Sequence, residues 1–284
     1  MSDAFDRIIQ EKREDLRALE LFVDISLNGL EKATKAVHGI ELMQRINEAL
    51  GDPPPFATEE DLANAKARAT DVALFAESEK ARGFPYLFGI AAIRLWSLLE
   101  ALVDDLVIES LKDPSQCKDQ ALLSRLKGPL LEFRNASADD QAEYLAETLK
   151  QTVEAALKQG VGKFESILDP VGLGGGIADP VRKCLVELRH VRNAIVHRCG
   201  KADRKLIDAC PWLQLARGDQ VSLNGREFHR YTIAGYWYLI EIKRRYQSRR
   251  SPDPETMVQL QNDLVAHILK LEAKPITDNA SMQA

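Results

Sequence analysis

Apolar residues recur every three or four positions along the start of the chain, which is the spacing of helices that bury one side. The pattern predicts helical structure over residues 4–50, with a break or kink at Asn28-Gly29. The three prolines of GDPPPF, at 51–56, end this region because proline cannot continue a helix. Residues 1–56 are therefore expected to form an N-terminal helical segment.

The following stretch predicts a capped helix and then a central one. Thr58 is the expected N-cap of a helix that runs to about Lys80, with Asp61 at the third helical position, where a side chain completes the cap. Residues 86–112 are apolar on most sides, and a helix of that kind lies in the middle of a fold. Further helical patterns cover 117–127 and 137–158.

Glycine and proline divide the remainder of the chain. DPVGLGGGIADP, at 169–180, predicts a connecting loop, since it lacks both the Gly-Lys-Ser/Thr ending and the preceding strand of a phosphate-binding loop. Asp179 and Pro180 suit the N-cap and first position of a helix over 180–198, and Gly200 suits its C-terminal end.

The stretch QVSLNGREFHRY, at 220–231, predicts a β-hairpin because Asn224-Gly225 favours a tight two-residue turn. The chain is therefore expected to be all-α with one small β-hairpin. Two more helices are predicted at 232–248 and 254–273, followed by a flexible tail at 274–284.

Charge is unevenly distributed along the chain. The net charge is −5, yet residues 180–250 hold 16 Lys and Arg against 6 Asp and Glu, a local charge of +10 that leaves −15 for the rest. This concentration favours contact between that region and a polyanion, although solvated helix faces explain it equally well.

Composition limits the class of protein further. Hydrophobic residues make up 45% of the chain, so a sizeable core is expected. The four cysteines form no CxxC pair, and no metal or cofactor is expected. The N-terminus has no signal-peptide core and no run approaches the ~18 apolar residues of a membrane span. A cytoplasmic protein with no membrane partner is predicted.

The stretch ELRHVRNAIVHRCG concentrates polar side chains at one end of a predicted helix. At ~100° per residue, His190, Asn193 and His197 share a face, Arg189 joins them and Arg192 flanks them. His190 is expected to be exposed. It cannot share a metal ion with His197, because seven residues of helix separate the two by ~10 Å.

These side chains suit metal-free cleavage of RNA. Histidine titrates near neutral pH, so it can accept the proton of the 2′-hydroxyl or protonate the leaving 5′-oxygen. Arginine stays charged, and one guanidinium can bind two phosphate oxygens at once, which stabilises the crowded phosphorane.

RNAIVH, at 192–197, resembles the Arg-x4–6-His signature of the HEPN superfamily. WSLLEALVDDL, at 96–106, is similar to an earlier core helix of the family, which often carries an aromatic and an acidic residue, here Trp96 and Glu100. The resemblance implies an antiparallel four-helix core within residues 57–273 and a homodimer whose motifs face each other. Many members are metal-independent endoribonucleases of toxin–antitoxin, abortive-infection and CRISPR-linked systems.

The resemblance also implies roles for individual residues. Arg192 and His197 would be catalytic, Asn193 would support them and Glu100 would orient Arg192. The implied partners are RNA, a second copy of the chain, and an antitoxin or another defence-system protein. The basic residues near the motif that could hold RNA phosphates are Arg189, Arg198, Lys201, Arg204 and Lys205.

Two other functions stay open at this stage. His197 could simply cap the negative end of its helix, and Glu100 could form a purely structural ion pair. The chain would then be a HEPN-like module that binds nucleic acid or a partner protein without catalysis, or a structural helical dimer.

Overall fold

The structure is a computed structural model that describes residues 2–126, 130–154, 161–248 and 255–273. These residues form twelve α-helices and no β-strand, so the prediction of an all-α protein is confirmed. The predicted tail at 274–284 lies outside the described residues. The helices are α1 (Ser2–Ala33), α2 (Ala36–Leu50), α3 (Glu59–Ala81), α4 (Pro85–Leu111), α5 (Gln120–Leu123), α6 (Leu130–Asn135), α7 (Ala138–Glu154), α8 (Val161–Leu168), α9 (Asp179–Arg198), α10 (Arg204–Ala209), α11 (Gly225–Ser248) and α12 (Glu255–Ala273).

The central helix is α4, as its apolar sequence predicted. It packs against α1, α7, α8, α9 and α11, and it buries residues on most of its circumference, including Leu95, Leu99 and Leu106. Trp96 lies in the same core and stacks on Phe164 with ring centroids 4.9 Å apart. The helix that carries the motif, α9, therefore rests on the most apolar element of the fold.

The central helix is also long and apolar enough to meet a membrane-span criterion, with a mean hydropathy of 1.6 over 18 residues. The expectation that no run approaches a membrane span is corrected on this point. However, 61% of that window is buried inside the protein. Such burial is typical of the core helix of a folded domain, and so the hydropathy of α4 is weak evidence for a membrane.

The first helix is a single long element that belongs to the same core. Phe5 stacks on Tyr246 with ring centroids 4.0 Å apart, and Leu16 lies beside Gly235 of α11. The predicted break at Asn28-Gly29 is wrong, because α1 continues to Ala33 and the chain turns before Ala36. One glycine costs a helix only about 1 kcal/mol, which the packing of α1 can offset.

The end of α1 from residue 21 onward, together with α2 and α3, forms what we call the N-terminal arm. The predicted cap of α3 is confirmed, since the Asp61 N–H donates to Thr58 Oγ1 over 3.0 Å. Helix α3 buries small side chains, chiefly Ala69, Ala73 and Ala76, and α2 has no buried residue. The large apolar side chains exposed on the arm are Leu21, Phe22, Ile25, Leu42, Met43, Ile46, Leu50, Val72, Leu74 and Phe75.

The predicted β-hairpin at 220–231 is wrong, because Gly225 begins α11 instead. The Asn224 side chain accepts from the Arg226 and Glu227 N–H groups over 3.0 and 3.2 Å, and Glu227 Oε2 accepts from the Asn224 N–H over 2.8 Å. This reciprocal pair is a capping box. The one extended contact nearby is an isolated antiparallel bridge between Lys201 and Gln220, within the described residues.

Two other predicted elements differ from the structure. The N-cap of α9 is Ala178, so that Asp179 is the first helical residue and pairs with Arg182. In the described part of the predicted helix at 117–127, which ends at residue 126, only one helical turn forms, α5. The loop predicted at 169–180 is confirmed up to Ala178, and its Leu173 and Gly176 carbonyls accept hydrogen bonds from Arg245.

Candidate functional site

The motif lies at the C-terminal end of α9, where the chain leaves the helix abruptly. Cys199 takes a left-handed conformation, with φ of 52°, and Gly200 follows with φ of 76°. The Gly200 N–H donates to the Ala194 carbonyl over 3.0 Å, which closes the last turn. The end of the helix is therefore held by backbone bonds, and the motif side chains project from a fixed element.

Arg192 and Asn193 form a half-buried pair in the motif. Arg192 Nη1 donates to Asn193 Oδ1 over 3.1 Å, so the amide holds one edge of the guanidinium. Arg192 Nε is buried and has no hydrogen-bond partner among the described residues. A buried donor without an acceptor is costly, and an anionic ligand is one group that would satisfy it.

Glu100 of α4 lies near enough to the motif helix for its charge to be felt there. Its charge acts on Arg189, and within the described residues it forms no ion pair with Arg192. Burial lowers the pKa of Arg189 from its ordinary value, Glu100 opposes that effect and Arg192 adds to it. The seam between α4 and α9 thus holds two neighbouring guanidinium groups and one carboxylate.

His197 lies on the exposed last turn of α9, and it forms no hydrogen bond or ion pair within the described residues. It is free to meet a ligand, but no contact in this chain orients its ring. Helical geometry places it five residues beyond Arg192, ~7.5 Å further along the axis.

The other predicted RNA contacts follow the motif, in the next loop and α10. Arg198 lies 3.8 Å from Asp203, and Arg204 lies 3.4 Å from Asp208, so both carry partial counter-charges. Lys201 and Lys205 are exposed and form no ion pair among the described residues. The positive surface near the motif is consequently weaker than the residue count indicates.

His190 is buried, with 8% of its surface exposed, so the prediction that it is exposed is wrong. Burial lowers its pKa below the ordinary value and Arg189 lowers it further, against an opposing effect of Asp203. His190 belongs to the core beneath the motif. It shares a face with Asn193 on the helical wheel, but that face points partly inward.

A buried carboxylate on the same helix escaped the sequence analysis. Glu187 is 1% exposed and accepts from Trp212 Nε1 over 2.6 Å, from the Tyr231 hydroxyl over 2.7 Å, and from Arg230. These contacts fasten α9 to α11 and to the turn after α10. The signal was present in KCLVELRHV, where a lone glutamate occupies the buried stripe between Cys184 and Val191.

Part of the basic region serves the interior of the protein. Arg245 binds Glu165 and Glu241, each over 2.8 Å, and Arg244 also donates to Glu241. Burial raises the pKa of Glu241, but hydrogen bonds from Arg244, Gln261 and Arg245 outweigh that effect and the pKa is lowered. Solvated or polyanion-binding faces therefore account for only some of the local charge of +10.

The motif residues line neither of two surface depressions in the described part of the chain, one beside Glu241 and Gln261 and one beside Glu20 and Tyr236. His197 is exposed and the arginines and Asn193 of the motif are half-buried, so one copy of the chain presents an open edge with an arginine pair, an amide and an imidazole. Such an edge can hold a phosphate, and a second surface would be needed to enclose it.

Comparisons of the chain with models of protein families, with curated proteins and with solved structures found no match.

Proposed function

We propose that the chain is a HEPN-like, metal-independent endoribonuclease that acts as a homodimer with a composite site. The observation that carries this proposal is the placement of RNAIVH: a half-buried Arg192–Asn193 pair and an exposed His197 lie at one fixed helix end. The resemblance supplies the family and its four-helix core, and the open edge supports a site completed by a second copy.

The chemistry assigns one task to each group. The 2′-oxygen attacks phosphorus and loses its proton to a neutral imidazole, while the bond to the 5′-oxygen breaks and that oxygen gains a proton from an imidazolium. Arg192 would hold the phosphorane oxygens, with Asn193 fixing its edge and Arg189 adding charge. A composite site supplies both imidazoles, one from His197 of each copy. The products are a 2′,3′-cyclic phosphate and a free 5′-hydroxyl.

An apolar patch next to the motif supports pairing of the motif faces. Tyr86 and Ile90 are exposed on α4, Phe75 meets Tyr86 edge-on with centroids 6.1 Å apart, and Val196 is exposed on α9. Ile195 lies against Gly89, which brings the two helices together. A second copy that covered this patch would set its own motif nearby.

The cellular role follows only by analogy with the family. We place the protein in the cytoplasm as a toxin or antiviral defence effector, controlled by an antitoxin or a defence-system partner. The candidate phosphate contacts Lys201 and Lys205 are exposed, have no ion-pair partner among the described residues, and would bind the backbone of an RNA held at the motif.

The test is incubation of the pure chain with total cellular RNA in excess EDTA. Wild type is expected to produce fragments with cyclic-phosphate ends, and His197→Ala is expected to lower the rate at least ~100-fold, since it removes a proton-transfer group. His38→Ala is the matched control, because His38 is also exposed but lies on α2. Equal cleavage by wild type and His197→Ala would contradict the assignment.

A second candidate is a HEPN-like module that binds RNA without cleaving it. The observation in its favour is the isolated ring of His197, which nothing in one copy orients. Gel-shift titration separates the two candidates. Binding of intact RNA that is weakened by Arg192→Ala, in the absence of any cyclic-phosphate product, would support this second function.

A further inference from the structure

Two histidine rings meet where α11 and α12 pack together. His229 of α11 is half-buried and His267 of α12 is exposed, and their ring centroids lie 5.3 Å apart with the ring planes at 75°. Among the described residues, neither ring forms a hydrogen bond or an ion pair. Two separate helices therefore hold these rings, which we call the imidazole pair, side by side at the surface.

The separation of the imidazole pair suits two ligands of one metal ion. With metal–nitrogen bonds of about 2.0–2.1 Å and a tetrahedral angle between them, two bound imidazoles have centroids about 5 Å apart. Rotation about χ2 of histidine is broad, so each ring can turn a nitrogen toward the space between the rings. We propose that His229 and His267 bind a divalent transition-metal ion of the zinc type, which joins α12 to α11.

The charges around the pair favour a neutral imidazole and a bound cation. Burial lowers the pKa of His229, and the ring of His267 lowers it further, against an opposing effect of Glu20. A metal binds the neutral ring, so near neutral pH it displaces little or no proton from His229. The Glu20 carboxylate accepts from the Tyr236 hydroxyl over 2.8 Å, which holds a negative charge close to the pair.

The site is open and uses two protein ligands. The described residues contain no group of three or more His, Cys, Asp or Glu side chains placed to hold a metal, so water completes the coordination on the exposed side of His267. Structural zinc sites have four protein ligands, and a pair therefore binds more weakly and exchanges its ion. The expectation of no metal came from spacing along the chain, which cannot show a pair formed between helices.

The bound ion would reinforce a helix that has few buried anchors. Of the residues of α12, Gln261 and Ile268 are buried. Its last turn is held to α11 by Arg226, which donates to the Leu271 carbonyl, and by Arg230, which lies 3.4 Å from Glu272. A metal at the imidazole pair adds a third link between the same two helices, away from the motif.

The first test is calorimetric titration of the chain with zinc chloride near neutral pH, in a Cys199→Ser background that removes the exposed thiol as a competing ligand. One ion per chain is expected. His229→Gln and His267→Gln are each expected to weaken binding at least tenfold, because each removes one of two ligands. His38→Gln is the matched control, since His38 lies on α2, and it should leave the affinity unchanged.

The second test uses thermal unfolding of the same variants. The midpoint is expected to rise with zinc concentration in the Cys199→Ser chain and in His38→Gln, to return when EDTA is added, and to stay constant in His229→Gln and His267→Gln. Electron paramagnetic resonance of the chain with one equivalent of Cu²⁺ should show two nitrogen ligands, and fewer in either variant.

Three outcomes would overturn the metal site. These are a midpoint that does not respond to zinc, equal zinc affinity of His267→Gln and the His38→Gln control, or a copper spectrum that either variant leaves unchanged. RNA cleavage is measured in excess EDTA, where this metal is removed, so the metal site and the proposed function fail separately.

Discussion

A single buried carboxylate holds the motif helix in place. Glu187 receives hydrogen bonds from Trp212, Tyr231 and Arg230, and Arg230 also reaches Glu272 over 3.4 Å. A buried charge is tolerated only when donors surround it, so these residues act as one unit. The position of the motif depends on them, although none of them belongs to it.

Glu187→Ala is expected to lower the free energy of unfolding by about 3–5 kcal/mol, because it leaves the buried Arg230 without its main counter-charge. The midpoint of urea unfolding measures the loss. Glu77→Ala, at an exposed position on α3, is the control and should change the free energy by less than about 0.5 kcal/mol. A similar small change for Glu187→Ala would show that the network contributes little.

At the scale of one element, the start of α11 depends on its capping box. Asn224→Ala removes the acceptor for two backbone N–H groups and is expected to cost about 1 kcal/mol. Asn224→Asp keeps an acceptor and should recover most of that loss. Urea unfolding of both variants measures the difference, with Asn64→Ala on the exposed side of α3 as the control. Equal losses for Asn224→Ala and Asn224→Asp would contradict the role of the cap.

The elements show what the sequence could and could not predict. Thr58 was recognised as a cap because a helical pattern follows it directly. Asn224-Gly225 was interpreted as a hairpin turn, since the same dipeptide suits both structures, and the evidence for a helix lies further on at Glu227 and Phe228. A cap or turn residue therefore predicts an element only when the spacing of the apolar residues that follow it is considered as well.

The candidate site shows the same limit across helices. Spacing along α9 placed Arg192, Asn193 and His197 at one end of a helix, as the structure has them. The partner of Glu100 could not be predicted, because it depends on how α4 and α9 pack together. The charge of Glu100 acts on Arg189. The burial of His190 was missed for the same reason.

On the scale of the whole molecule, two buried or half-buried histidines make stability depend on pH. Burial lowers the pKa of His190 and of His229 below 6.5, so the unfolded chain binds these protons first. Above about pH 6.5 these histidines do not reduce the free energy of unfolding. As the pH falls below that value and through the lowered pKa values, the free energy of unfolding decreases, by up to about 1.4 kcal/mol per pH unit for each histidine.

His190→Gln is expected to reduce that slope between pH 7.5 and 5.5, because it removes one of the two groups. Thermal unfolding at several pH values measures the slope, and His38→Gln is the exposed control. Burial raises the pKa of Glu227, so protonation of this carboxylate at lower pH increases the free energy of unfolding, opposite to the effect of the histidines. Each variant is therefore compared with wild type at the same pH. An unchanged slope for His190→Gln would contradict the assignment.

The distribution of thiols has a practical consequence for the motif. Cys117, Cys184 and Cys210 are buried, and Cys199 is exposed two residues after His197. Burial raises the pKa of Cys184 and of Cys210 to about 12, which keeps both thiols protonated and unreactive. A maleimide dye or spin label would therefore attach to the unmodified chain at Cys199. The native protein carries its own reporter position, from which the distance between two motifs in an assembly can be read spectroscopically.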